Sequence, residues 1–189
     1  MEIAAESNRP FDRIAAGYSA GNLMLARANP TGAALILDEA FALAEEHGVR
    51  LFVPVTACYR GLAYLEQGSI DAAREILGKA RETAKSVGYK SIELRASIYL
   101  ARALGEAGEV PGALNLLRSA RNTARQQGFS GLEAEALLCE ATVTPAVDAE
   151  GRAAILRCLR TCIDIATRSE AEPLRRKAEA LLSQAPDDP

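Results

Sequence analysis

The chain has 189 residues, of which 49% are apolar, with 22 basic against 25 acidic side chains and a net charge of −3. That balance argues against a largely disordered chain and against a basic nucleic-acid-binding stripe. The 37 Ala and 23 Leu, set beside no Trp, one His and two Met, leave few residues that could do chemistry.

The N-terminal stretch MEIAAESNRPF lacks a basic region followed by an apolar run, so no secretory signal is expected in it. Residues 1–10 are read as an extension. The first predicted helices span 11–27 and 31–47, with Asn29 as a side-chain cap and Pro30 in the tolerated first turn. The next pair is placed at 51–67 and 71–87. In it Val55, Cys58, Leu62 and Leu65 recur at helical spacing, Gly68 and Ser69 break the pattern, and Ala73, Ile76, Leu77 and Ala80 resume it. Ser69 is a candidate hydroxyl cap. The densest apolar stretch, Leu51 to Val55 with Ala57 and Cys58, is far short of the roughly 20 residues that cross a bilayer, so no membrane partner is expected. Helices follow at 91–107, at 111–127 with Pro111 in the first turn, and at 131–142, 150–168 and 172–184. The tail 185–189 is expected to be disordered.

These elements repeat every forty residues. Ala33, Ala73 and Ala113 share one phase, and so do Leu37, Leu77 and Leu117. The same holds for Ala40, Ala80 and Ala120, for Ala44, Ala84 and Ala124, and for Gly48, Gly88 and Gly128. A helix of about 17 residues joined by a turn of about three must fold back antiparallel, and each hairpin buries its second face only against the next. The expected fold is therefore all-α: a right-handed α-solenoid of about nine helices forming one unit over 11–184. Its repeats fall near 11–50, 51–90, 91–130 and 131–170, and 172–184 forms a cap. In the fourth repeat Arg157, Arg160 and Asp164 occupy the apolar columns, while Leu159, Cys162 and Ala166 restore an apolar face two residues later. An insertion around Thr142 to Pro145 accounts for that shift.

At these residues the chain resembles the tetratricopeptide repeat (TPR). Gly61, Tyr64, Gly68, Ala73, Leu77 and Ala80 match its pattern in order and spacing, as do Ala101, Leu104, Gly108, Ala113, Leu117 and Ala120, and more loosely Gly21, Met24, Ala28, Ala33, Leu37 and Ala40. The unit is longer than the standard 34 residues. In that respect it is similar to the C-terminal repeats of bacterial signalling ATPases and cyclases and of activators related to the maltose regulator. The resemblance implies a non-catalytic module that binds a protein or peptide, or another domain of a longer signalling protein, on the concave face made by the first helices. Carried over by column, the binding residues would be Tyr18, Asn22, Leu25, Cys58, Leu62, Leu65, Ile98, Arg102, Glu106 and Leu138. The Lys and Asn residues with which some members clamp a C-terminal carboxylate are absent apart from Asn22, so an amphipathic helix or extended peptide fits better. Periodicity alone leaves open whether Leu62, Leu65 and Ile98 line a groove or pack against a neighbouring helix.

Catalytic and cofactor chemistry finds little support. His47 stands beside a helix-ending glycine, where it complements the negative helix end. Cys158 and Cys162 are four residues apart on one helix, but two ligands do not make a tetrahedral metal site. The glycines form no phosphate loop. No cofactor or metal is expected, and the wide spacing of Cys58, Cys139, Cys158 and Cys162 suits reduced thiols in the cytoplasm. A homodimer built on an apolar trough or an uncapped end repeat is the alternative role, and a thiol-based sensor is a third.

Overall fold

In the computed structural model, which describes residues 9–184, nine helices and no strand are found among the described residues. They are α1 (Pro10–Ala26), α2 (Pro30–Glu46), α3 (Phe52–Glu66), α4 (Ile70–Ser86), α5 (Lys90–Glu106), α6 (Val110–Gln126), α7 (Ser130–Val143), α8 (Ala149–Arg168) and α9 (Glu172–Gln184). Residues 1–8 of the expected N-terminal extension and the expected tail 185–189 lie outside the described residues. The architecture is an all-α solenoid built of antiparallel hairpins. Most helices have 17 residues and most turns have three, which is how a hairpin with its following turn comes to repeat at forty.

The chain divides into two compact units, one ending at Ala103 and one beginning at Leu104, with the division inside α5. In the first unit α1 packs on α2, α2 on α3 and α3 on α4, and α1 also touches α3. In the second, α6 packs on α7, α7 on α8, and α9 covers α8 and part of α7.

The columns read from the sequence are the core. Ala33, Ala73 and Ala113 are fully buried, and so are Leu37, Leu77 and Leu117, and Ala44, Ala84 and Ala124. Small residues let the helices approach. A Cβ on Gly17 would sit 2.9 Å from that of Ala40, and Gly21 and Gly61 each receive the leucine of the facing helix, Leu37 and Leu77. The two-residue shift in the fourth repeat is present as expected: Leu159, Cys162 and Ala166 are buried, while Arg157, Arg160 and Asp164 face solvent. Around this core Ala178 of α9 is fully buried, with Leu174, Leu181 and Leu182 packed at its edge.

The turns share one hydrogen-bond pattern. At Gly68 (φ 78°) the amide donates to the Leu65 carbonyl at 2.9 Å and the Ser69 amide to that of Tyr64 at 2.9 Å, a Schellman motif. Ala28, one period earlier, makes the same two bonds at φ 53° without the freedom of glycine. Asn29 caps α2 as expected, its side-chain oxygen accepting from the Gly32 amide at 3.0 Å. Ser69 does not cap α4 with its side chain, a correction to the expectation. Ser69 enters its helix at φ −83°, where Asn29 enters at φ −113°, and its exposed hydroxyl is left to solvent; the acidic charge at that helix end comes from Asp71.

Candidate functional site

The first-helix face of the N-terminal unit carries an edge-to-face run of aromatic rings. Phe11 meets Phe52 at 5.3 Å and 86°, Tyr18 meets Phe52 at 6.2 Å and Tyr59 at 5.2 Å, and Tyr59 meets Tyr99 at 6.4 Å. Offset and edge geometries of this kind are favoured by the ring quadrupole. The rings come from α1, α3 and α5, so the ladder ties together the first helices of three successive hairpins.

Beside it lies a hollow of about 530 Å³. Tyr18, Phe52, Val55, Tyr59 and Ile92 form its apolar wall, Leu51 and Tyr89 its exposed rim, and Arg95 its charged corner. The Arg95 guanidinium lies 5.7 Å from the Tyr59 ring centroid and donates to the Tyr59 hydroxyl. Burial pushes the Tyr59 phenol upward, the Tyr18 contact adds to that, and Arg95 opposes it, so Tyr59 stays neutral across the physiological range. The hollow is of the size that takes one or two large side chains.

Two other concavities offer less. A hollow of about 610 Å³ on the second-helix side is crossed by Arg60, which is held over the Phe41 ring at 5.1 Å and pairs with Asp38. Its other cation, Lys79, pairs with Glu75 at 2.6 Å. In the second unit a hollow of about 180 Å³ among Ile155, Leu156, Leu159 and Leu181 is a packing gap of the last hairpin.

The residues carried over by column fall into two groups. Cys58, Leu65, Ile98 and Leu138 are buried, at most 9% exposed, and serve the packing. Tyr18, Asn22, Leu25, Leu62 and Arg102 are half-buried and Glu106 is exposed. Arg102 pairs with Glu66 at 3.0 Å. Of the ten, Tyr18 alone lines the aromatic hollow. Phe52, Val55, Tyr59 and Arg95 lie just outside the columns chosen from the sequence. Their signal was present: Tyr59 and Tyr99 are one period apart, and so are Phe52 and Ile92.

All four cysteines are buried, reduced thiols. Burial raises the Cys158 thiol, and it pushes Cys162 up to about 11. The Cys162 thiol donates to the Ala134 carbonyl at 3.2 Å. No group of three or more potential metal ligands exists among the described residues, and no helix there is long and apolar enough to cross a membrane.

No protein-family model and no curated protein matches the sequence. Among solved structures, the chain is similar to the nearly identical TPR-like repeats assigned to a kinesin light chain of Podosopora anserina, with a TM-score of 0.67 and 16% identity over 94% of this chain and 87% of that one. The fold is TPR-like. In this TPR-like array the forty-residue unit keeps the order of small residue (Gly21, Gly61, Ala101), large apolar or aromatic residue (Met24, Tyr64, Leu104), small turn residue (Ala28, Gly68, Gly108) and paired alanines, and lengthens its helices beyond the standard repeat.

Proposed function

We propose that this TPR-like chain is a non-catalytic, cytoplasmic interaction module that captures a peptide segment or a partner domain on the first-helix face of its N-terminal unit. The observation that carries this reading is the aromatic hollow. It combines an apolar wall, two exposed apolar rim residues and a guanidinium already oriented by Tyr59, and such concave, largely preformed surfaces are where large side chains dock. The forty-residue unit, similar to the C-terminal repeats of bacterial signalling ATPases, cyclases and maltose-regulator-like activators, supports a place in bacterial signalling or transcriptional regulation. Buried thiols outside any disulfide support a reducing compartment.

The test is selection from a displayed peptide library, followed by Leu51→Asp and Arg95→Glu in the full chain. Selected peptides should bind the parent and lose at least about tenfold in affinity to each variant, with helicity retained. Equal binding to both variants, or no peptide selected at all, would remove this face as the site.

A further inference from the structure

The hollow of about 610 Å³ on the second-helix side of the first unit is a trough with α2 and α4 as walls and α3 as floor. Two periods on, α6, α7 and α8 build the same arrangement from different residues, α6 and α8 each packing on α7 and not on one another. Phe41 and Glu45 of the first wall become Arg121 and Arg125. On the floor Val53, Ala57 and Arg60 become Glu133, Leu137 and Glu140. On the far wall, counted with the two-residue shift of the fourth repeat, Glu75 and Lys79 become Arg157 and Thr161. Burial and then Glu140 raise the Cys158 thiol, while Arg121, Arg157 and Arg118 together oppose them, so both walls bear on one point.

The first trough matches each of its cations to an acid, Arg60 to Asp38 and Lys79 to Glu75. The second does not. Its two acids are sunk in the floor, Glu133 with 11% and Glu140 with 8% of the side chain exposed, and α6 already holds both, through Arg125 and Arg121 at 2.7 Å each. The other guanidinium surface stands open. Arg118 and Arg125 are more than half exposed, α6 contains no acid, and Arg157 is exposed with no acidic partner among the described residues. Four arginines thus meet two buried and occupied glutamates, on a chain whose net charge is −3.

An occupant of this trough has to bring negative charge. Arg118 and Arg125 lie seven residues apart, about two turns or roughly 10 Å along α6, and Arg157 stands on the other wall, so each guanidinium suits one separate carboxylate in a two-pronged contact. A phosphate polymer is a poorer fit. Its dense charge extends over the rest of an anionic chain, whereas a short segment feels only charges within about 8 Å. We infer that the trough over α7 binds a short acidic peptide segment of a partner protein, laid along α6 with Asp or Glu carboxylates on Arg118, Arg125 and Arg157. It belongs to the second unit and uses no residue of the aromatic hollow, so the inference is independent of what binds there.

Fluorescence anisotropy of the full chain with a labelled peptide of alternating Glu and Ala, and with its counterpart of Gln and Ala, tests it. The acidic peptide should bind and the neutral one should not, with affinity falling as salt rises. Arg157→Glu and Arg118→Glu should each weaken binding at least about fivefold with helicity retained. Arg27→Glu makes the same change in net charge on the first unit and should stay within about twofold of the parent. An acidic peptide that binds no better than the neutral one overturns the inference, as does an Arg157→Glu chain that loses no more than the Arg27→Glu chain. Duplex DNA held at these arginines as tightly as the peptide, or a self-associated chain that Arg157→Glu separates, gives the trough another occupant and overturns it too.

Discussion

Gly61 lies so close to Leu77 that a Cβ added to the glycine would come 2.5 Å from the leucine Cγ and 2.6 Å from its Cδ2. Leu77 is fully buried and cannot swing away. Gly61→Ala therefore forces the α3 and α4 helices apart, an overpacking cost of about 1–3 kcal/mol that exceeds the roughly 1 kcal/mol gained in helix propensity. Denaturant unfolding should show a net loss of stability. The same relationship holds one period earlier between Gly21 and Leu37, at 2.5 Å, and Gly21→Ala should lose a similar amount. A gain in stability at either site would mean that the hairpins are not seated as described.

The helix ends make the opposite prediction. Ala28 occupies the column of Gly68 and Gly108 and adopts the same turn with a positive φ of 53°. A left-handed non-glycine residue costs about 1–2 kcal/mol, and glycine offsets part of the difference through greater freedom in the unfolded chain. Ala28→Gly should stabilise by up to about 1 kcal/mol, read as a rise in denaturant midpoint at unchanged slope. Gly68→Ala should lose a comparable amount.

Much of the fold is legible in the sequence alone. The forty-residue columns of Ala33, Leu37, Ala40 and Ala44 and their repeats are the closest helix contacts, and close contact restricts residue size so strongly that the pattern survives in one sequence. The candidate site is less legible for a physical reason. Core and groove share one helical stripe, so Ile98, fully buried, and Tyr59, on the wall of the hollow, differ by one residue in phase. Whether a first-helix side chain meets a neighbouring helix or an open hollow depends on how far adjacent helices splay, which periodicity does not encode.

Columns also expose a charge reversal between hairpins. Asp38 of α2 pairs with Arg60 of α3; two periods on, Arg118 of α6 pairs with Glu140 of α7 at 3.4 Å, with Arg121 adding a second bond at 2.7 Å. Glu140 is the more buried acid, its side chain 8% exposed against 38% for Asp38. Removing one partner of a desolvated pair leaves an uncompensated charge, whereas a solvated pair contributes little. Arg121→Ala, which leaves the buried Glu140 with only the exposed Arg118, should cost about 2–3 kcal/mol, and Arg60→Ala, which leaves the more solvated Asp38, about 1 kcal/mol or less. Equal losses in thermal or chemical unfolding would show that water reaches both junctions alike.

The thiols give the last prediction, which bears on the sensor reading. Cys162 is fully buried, bonded through its hydrogen to the Ala134 carbonyl, and pushed by burial from 9.0 up to about 11. Since the thiolate is the reactive form, that shift alone slows alkylation at mildly alkaline pH by roughly a hundredfold relative to a free thiol, before burial is counted. Native protein should consume iodoacetamide very slowly, and all four cysteines should react at once in denaturant. The folded state here favours the protonated thiol. Its contribution to stability is therefore complete below the unfolded value near 9 and is lost as pH rises toward about 11. A cysteine that reacts in the native chain as fast as a small thiol at neutral pH would overturn this assignment and restore a redox role.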